Sequence, residues 1–203
     1  MAALKKTAET SVPVHDIIGN RWSPRAFDSR AVEPEKLKAL FEAARWAASS
    51  YNAQPWSFIV ATKDHPANYK KVLECLVEFN QGWAKNAPVL ALSVAQLNFA
   101  MPDNKAPNRH AFHDVGLAVA NLALQAHALG LEVHQMAGIL PDKAREVFGI
   151  PAGYEAVAGI AIGCPGDPAV LPDGLREREL AKRTRKELET FVFTGKWGQK
   201  ANL

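Results

Sequence analysis

Residues 43–60, AARWAASSYNAQPWSFIV, join a helix, a polar connector and a strand within one short stretch. The helical pattern covers 34–48, with Pro34 suited to a first turn and apolar side chains at helical spacing behind it. The connector SSYNAQPW, residues 49–56, ends at a strand junction, because SFIVATK, residues 57–63, has the length and apolar content of a strand. A helix that leads through a polar connector into a buried strand predicts a domain built in layers.

Outward from this stretch, helical and strand patterns continue to alternate. Further helices are expected at 66–80, 114–130 and 141–149, and further strands at 88–95, 131–136 and within 154–167. The apolar run 88–95 predicts a strand that is buried on both faces. The alternation predicts a single domain over residues 1–203 with about four buried strands, and the pattern alone leaves the strand order open.

Two segments suggest that a second subunit covers part of this chain. The predicted helix 114–130, DVGLAVANLALQAHALG, is apolar nearly all round and ends at Gly130. Burial of such a helix on every side is hard to achieve in a chain of 203 residues without a partner. The tail, 171–203, is highly charged and then carries the aromatic run FVFTGKWGQ, which either packs on its own chain or extends onto a partner.

Composition excludes several classes of protein. Hydrophobic residues make up 48% and the formal net charge is +3, which is too mild to argue for a nucleic-acid partner. The two cysteines form no CxxC motif and lack a histidine at metal spacing, so neither a disulfide scaffold nor a metal site is expected. The start has no apolar core of a secretory signal and no stretch is long enough to span a membrane, so we expect a cytoplasmic protein.

Two short basic clusters could hold an anion. In RWSPR, 21–25, Arg21 and Arg25 offer planar guanidinium groups, Ser23 adds a hydroxyl, and the following proline restricts the backbone. In KRTRK, 182–186, two arginines lie two residues apart and would point to one side of an extended segment. Taken singly, each cluster is better explained by a solvated basic surface, because surface arginines are common.

Two further segments have the chemistry of a ligand site. The connector carries hydroxyl and amide groups that can both donate and accept, which suits a heteroaromatic ring, although the same residues are ordinary turn formers. These groups belong to Ser49, Ser50, Asn52 and Gln54. Between the predicted strand 131–136 and the next helix, Ala137 and Gly138 would let a ligand approach backbone N–H groups closely, although a plain tight turn explains them too.

Other recognisable chemistries are poorly supported. The chain has no GxGxxG after a strand, no GxxxxGK[ST] loop, no HExxH and no GxSxG. Its six histidines are scattered, so neither a metal ligand set nor an acid–base pair is evident.

Together and in this order, the segments resemble the FMN-dependent nitroreductase family. The similarity covers about 18 to 198, and its most specific parts are RWSPRAFDSRAVEPEKL, AARWAASSYNAQPWSFIV and RTRKELETFVFTGKWG. A shorter similarity runs from GLEVHQMAGILP through IAIGCPGD. The resemblance implies an α+β protein with a three-layer α/β/α fold and a central mixed, mostly antiparallel sheet. It also implies an intertwined homodimer, in which residues 171–203 extend onto the partner subunit.

The resemblance further implies a cofactor site built from both subunits. The FMN phosphate and ribityl chain would be held by Arg21, by the backbone of Trp22, by Ser23 and Arg25, and by Arg183 and Arg185. The flavin of the partner subunit would be reached by Ser49, Ser50, Asn52 and Gln54. Asn80 would lie near the flavin pyrimidine, the Ala137 N–H would face flavin N5, and the Gly138 N–H would lie nearby. No side chain is implied as a catalytic acid or base, and no metal is implied.

The implied activity is hydride transfer from NADH or NADPH through flavin N5 to a small electrophilic acceptor such as a nitroaromatic or quinone, in a ping-pong mechanism. The loop 97–109 is the candidate lid over the acceptor. Some relatives carry glutamate where Ala137 stands, so the local charge differs here. Two alternatives stay open: the same fold with flavin fragmentation, dehalogenation or aldehyde reduction, and a non-catalytic protein that binds anions or nucleic acid through the basic clusters.

Overall fold

The computed structural model describes residues 4–100 and 105–202, in which helices and strands alternate along the chain. The helices are α1 (Asp16–Asn20), α2 (Pro34–Arg45), α3 (Pro66–Glu74), α4 (Glu78–Ala84), α5 (Ala111–Ala128), α6 (Pro141–Phe148) and α7 (Asp173–Leu180). The strands are β1 (Trp56–Thr62), β2 (Val89–Gln96), β3 (Glu132–Met136) and β4 (Tyr154–Gly163). The predicted strands are all present, with ends shifted by a few residues.

The strands form one sheet in the order β1-β2-β4-β3, and each described pair of neighbours is antiparallel. The strand β2 lies in the interior of the sheet and is buried from Val89 to Ala95, as the apolar run predicted. Chain order and sheet order differ, since β4 is inserted between β2 and β3. The strands β1 and β3 therefore lie at opposite edges of the sheet. The candidate residues that precede β1 are thus separated from those that follow β3.

The side chains of β2 alternate between two hydrophobic clusters, one on each face of the sheet. Leu90 and Leu92 point into the cluster that includes residues of α3, α4 and α6. Val89 and Ala91 point into the cluster that includes residues of α2 and α5. Because consecutive residues of a strand face opposite sides, one strand supplies both cores. The α+β class and the three α/β/α layers are therefore confirmed.

The segment 66–80, predicted as one helix, is divided into α3 and α4 by a short break, the link at residues 75–77, so this prediction was wrong. The Cys75 carbonyl accepts a hydrogen bond from the Leu140 N–H at 2.7 Å, and the Val77 N–H donates to the Gly138 carbonyl at 3.0 Å. These main-chain bonds pair the link with the turn after β3. Helical spacing persists in the sequence, but a tertiary partner takes the hydrogen bonds that would have continued the helix.

Part of α5 and part of the tail lie uncovered within one chain. On α5 the exposed positions recur at helical spacing and carry Phe112, His113, Gly116, Leu117 and Ala120. In the tail, Trp197 is 91% exposed and its ring packs against that of Phe193, with centroids 5.1 Å apart. Most of the run 191–199 is exposed in the single chain, and its extension onto a partner stays a prediction. No helix in the described residues is long and apolar enough to cross a bilayer.

The predicted lid, 97–109, is only partly visible in the described structure. Its two ends pair with each other, since the Phe99 N–H donates to the Ala106 carbonyl at 3.0 Å. The Leu97 N–H also bonds to the Gly153 carbonyl at 2.8 Å, which ties the loop to the start of β4. Residues 101–104, the middle of this loop, lie outside the described residues, so its role stays a prediction.

Candidate functional site

The two basic clusters meet around one pocket of about 180 Å³, although they lie at opposite ends of the chain. The lining comes from the amino-terminal arm (residues 4–9), the loop 21–25, the end of α7 and the segment that follows it. It consists of Lys6, Arg21, Trp22, Ser23, Arg25, Arg178, Glu179, Arg183 and Arg185. All six residues that the sequence suggested for a phosphate site therefore lie together in the folded chain, and the fold adds Lys6, Arg178 and Glu179.

The lining of the pocket concentrates positive charge. It holds five arginines and a lysine but one carboxylate, that of Glu179, while the Glu132 charge acts on Arg21 and Arg183 from outside the lining. Burial lowers the pKa of Arg183, and the nearby charges of Arg21 and Arg185 lower it further. Repulsion among these cations is relieved when an anion enters, so the arrangement favours an anionic ligand.

The Arg25 guanidinium carries the clearest sign that a ligand belongs in this pocket. Its Nε is buried and has no hydrogen-bond partner among the described residues. The guanidinium carbon lies over the Trp83 ring, 6.0 Å from the ring centroid, at the outer range of a cation–π contact. A buried donor without an acceptor costs about 1–3 kcal/mol, more when the group is charged. An oxyanion in the pocket would supply the missing acceptor.

The Glu179 carboxylate holds the end of the loop 21–25, called here the arginine loop, by bonds to its backbone. Its carboxylate accepts hydrogen bonds from the Arg25 N–H at 2.9 Å and from the Ala26 N–H at 3.0 Å. The side chain is fully buried, and burial raises the pKa of Glu179 while the two N–H donors oppose part of that rise. In the sequence, Glu179 is one of many charged residues in the tail 171–203. Its structural role was missed because α7 has no clear apolar stripe that would mark a buried face.

Two residues of β3 hold the first half of the same loop. The Trp22 N–H donates to Glu132 at 3.3 Å, and Glu132 also bonds His127 at 2.7 Å. The His134 Nδ1 lies 2.9 Å from the Pro24 carbonyl, so this nitrogen carries the proton and donates. Burial lowers the pKa of His134 to about 4. Because the Trp22 N–H is already engaged by Glu132, the backbone contact expected between Trp22 and the cofactor would have to use another atom.

The connector between α2 and β1 lies apart from this pocket. The Ser50 N–H donates to buried Asp114 at 2.9 Å, and the Gln54 N–H donates to the Ser49 hydroxyl at 3.0 Å. Positive φ angles of 52°, 51° and 47° occur at Tyr51, Asn52 and Gln54. Such angles cost non-glycine residues about 1–2 kcal/mol each. Within one chain this strained, exposed segment does not reach the arginines, so its contact with a partner's flavin stays a prediction.

The remaining candidates, Asn80, Ala137 and Gly138, lie together at the junction of α4 with the end of β3. The Asn80 side-chain amide donates to the Gly138 carbonyl at 3.0 Å, beside the bond that Val77 makes to the same carbonyl. A Cβ on Gly138 would lie 2.6 Å from the Asn80 amide nitrogen. Glycine is therefore required here by close packing, and the turn that carries the two candidate N–H groups is rigidly placed.

Known proteins resemble this chain over most of its length. The model of the Nitroreductase family matches residues 18–164. A solved structure described as "The crystal structure of the oxidoreductase containing FMN" is 39% identical, covers 95% of this chain and 96% of its own, and superposes with a TM-score of 0.88.

Curated relatives match shorter segments. An uncharacterised 15.4 kDa protein of Mycolicibacterium smegmatis is 39% identical over 44% of this chain. The major NAD(P)H-flavin oxidoreductase of Aliivibrio fischeri is 34% identical over 44% of this chain. The aligned part spans 60% of the first relative and 42% of the second. The family match over residues 18–164, together with the layered fold, shows that this chain belongs to the nitroreductase family.

Proposed function

We propose that this chain is a flavin-dependent oxidoreductase that holds FMN by its phosphate in the arginine pocket and takes electrons from NADH or NADPH. The observation that carries the proposal is the buried, unpartnered Nε of Arg25 in a pocket lined by five arginines. Membership of the nitroreductase family and the FMN named for the superposed oxidoreductase support the same cofactor. The flavin-oxidoreductase name of the Aliivibrio fischeri relative supports the same electron donor.

The residues present fit a phosphate monoester. Arg25 offers its Nε, which has no hydrogen-bond partner among the described residues. Arg21 donates to the Ser23 hydroxyl and Arg185 donates to the Thr184 carbonyl, and both keep other N–H donors available. Planar guanidinium groups match phosphate oxygens better than ammonium groups do. Arg183 is partly committed, since its Nη1 donates to the carbonyls of Lys6 and Gly19. Arg183 would contribute its positive charge and the guanidinium N–H groups that these two bonds leave unused.

When bound, FMN supplies the hydride-transfer chemistry, and the protein provides binding and orientation. Ala137 and Gly138 would present their N–H groups from a turn that Asn80 and Val77 hold in place. No acid or base is assigned to a side chain. The acceptor would be a nitroaromatic, a quinone or a similar small electrophile. It would bind beneath the loop 97–109.

The proposal includes a homodimer that completes each cofactor site. The uncovered apolar positions of α5 lie next to the connector that holds Ser49, Ser50, Asn52 and Gln54, since Asp114 of α5 bonds Ser50. A partner seated on α5 would therefore also contact the connector. The polar groups of the connector would then meet the flavin of the other subunit, and the exposed tail, 171–203, would lie along that subunit.

The first test is the visible spectrum of the purified protein, with release and identification of any flavin. We expect flavin bands and about one FMN per chain. A colourless protein that takes up no added FMN would overturn the proposal.

Single substitutions then locate the phosphate site. Arg25→Ala and Arg185→Ala should each weaken FMN binding by about 10- to 100-fold, because a charge-assisted hydrogen bond contributes about 1.5–3 kcal/mol. Arg176→Ala is the matched control, since Arg176 also belongs to α7 but pairs with exposed Asp173 and does not line the pocket. Fluorescence quenching on titration with FMN measures the affinity. Equal affinity in the pocket variants and the control would contradict the assignment.

A further inference from the structure

The amino-terminal arm, defined here as residues 4–9, lies against the arginine pocket although it precedes the segment that the family model matches. The Ala8 N–H donates to the Gly19 carbonyl at 2.8 Å, and the Thr7 hydroxyl donates to the Asn20 side chain at 2.8 Å. These bonds fasten the arm along α1. They bring Lys6 to the wall of the pocket, between the loop 21–25 and the end of α7.

Lys6 bonds the carbonyl end of α7. Its Nζ donates to the Glu179 carbonyl at 2.6 Å and also to the Ala181 carbonyl. The last carbonyls of a helix have no partner within the helix and carry partial negative charge. At this helix end they lie beside a pocket that is otherwise suited to an anion, where uncompensated carbonyls would repel the ligand. The ammonium group of Lys6 satisfies them and offsets their charge.

Lys6 also connects the two halves of the pocket mechanically. Its ammonium lies over the Trp22 ring, 5.3 Å from the centroid, so one side chain contacts both the loop 21–25 and the end of α7. In the reverse direction, the Arg183 Nη1 donates to the Lys6 carbonyl at 2.6 Å. Burial lowers the pKa of Lys6 and the nearby Glu179 charge opposes that shift, which agrees with a group enclosed at this junction.

We propose that Lys6 is a positioning residue of the anion site: it holds the segment 179–183 against the loop 21–25 and neutralises the carbonyl end of α7 beside the bound phosphate. The ligand class is a phosphate monoester, and its identification with FMN rests on the function proposed above. The amino-terminal arm is accordingly part of the binding site in this chain.

The test compares FMN with riboflavin, which shares the ring and ribityl chain but lacks the phosphate. Lys6→Met keeps the aliphatic stem and removes the charge and the donors. We expect it to weaken FMN binding by about tenfold and to leave riboflavin binding unchanged, as measured by flavin fluorescence quenching. Lys6→Arg should restore most of the FMN affinity. Lys5→Met is the matched control, since Lys5 is the exposed neighbour and does not line the pocket.

The outcomes separate this inference from the proposed function. An equal loss of both flavins in Lys6→Met would mean a general structural defect, and no loss of FMN would mean a solvated lysine; either result overturns the positioning role. If the wild type binds no flavin, the proposed cofactor is wrong, and titration with inorganic phosphate by calorimetry replaces the flavin titration. Weaker phosphate binding by Lys6→Met than by Lys5→Met would then support the role of Lys6, and equal or absent binding would overturn it.

Discussion

At the scale of single residues, the arginine loop is held by buried titratable groups that are not arginines. Glu132 and His134 bond the main chain at Trp22 and Pro24, and Glu179 bonds it at Arg25. The backbone of the loop is thus fixed from the inside, while the Arg21 and Arg25 side chains line the pocket. Preorganisation of this kind reduces the conformational entropy that the protein loses when a ligand binds.

His134 should make the stability of the protein sensitive to mild acid. Its pKa is lowered from 6.5 to about 4 in the folded chain, by burial and by the Arg25 charge, against the hydrogen bonds to Pro24 and Ser23. Between these values the unfolded chain binds a proton that the folded chain does not, so stability is present above 6.5 and is lost as pH falls toward 4. The loss amounts to about 2–3 kcal/mol.

Urea unfolding between neutral pH and pH of about 4.5 measures this dependence. His134→Gln retains an N–H donor for the Pro24 carbonyl but does not titrate, so its unfolding free energy should fall less steeply than that of the wild type. His65→Gln, at an exposed histidine, provides the control and should follow the wild type. Parallel curves for wild type and His134→Gln would show that this histidine does not contribute to the acid sensitivity.

At the scale of elements, the junction between α4 and the turn after β3 organises the second candidate region. The link 75–77 pairs with this turn instead of continuing α3, and Asn80 of α4 bonds the Gly138 carbonyl. The turn is therefore specified by contacts from another element together with its own Gly138.

Gly138→Ala should destabilise the protein by about 1–3 kcal/mol, because the added methyl group forces tightly packed neighbours apart. The new carbon would meet the Asn80 amide at 2.6 Å and the Val77 side chain at 2.7 Å. Gly174→Ala is a suitable control, because no atom lies within 4 Å of a Cβ at that position of α7. Thermal and urea unfolding report the change. Equal stability of Gly138→Ala and the control would mean that the junction is loosely packed.

At the scale of the whole molecule, apolar positions of α5 are uncovered in the single chain, and the proposed homodimer would bury them. Leu117 is 37% exposed and Phe112 is 46% exposed, on a helix whose opposite side is packed against β2 and α2. An exposed apolar surface on a long central helix is typical of an interface between subunits.

Leu117→Glu should therefore weaken self-association by at least about tenfold, because a charge would be buried without a partner at the interface. Sedimentation velocity over a range of concentrations distinguishes dimer from monomer. Val170→Glu serves as the control, since Val170 is 58% exposed on a different surface segment, the turn Pro168–Val170. A monomeric wild type would overturn the homodimer proposal, and a fully dimeric Leu117→Glu would place the interface elsewhere.

The sequence by itself determined the four strands, the helices α2, α5 and α6, and most of the residues with anion-binding chemistry. Apolar periodicity is a local property, so the doubly buried β2 and the helix α5 could be predicted from their own residues. The two arginine clusters could be paired only through resemblance to a family, since each cluster alone matched a solvated surface. The family and the α+β fold predicted in this way are confirmed.

Only the tertiary structure decided which contacts hold the anion-binding residues in place. The bond from Arg25 to Glu179 joins residues 154 positions apart, and the bond from Lys6 to the carbonyl of the same glutamate joins residues 173 apart. Contacts at such separations leave no periodic trace in the sequence, so Lys6, Glu132 and Glu179 looked like ordinary charged residues. The break between α3 and α4 has the same origin, because long-range hydrogen bonds outweighed a local helical preference there. Local patterns specify elements, whereas burial and pairing across the chain specify the site.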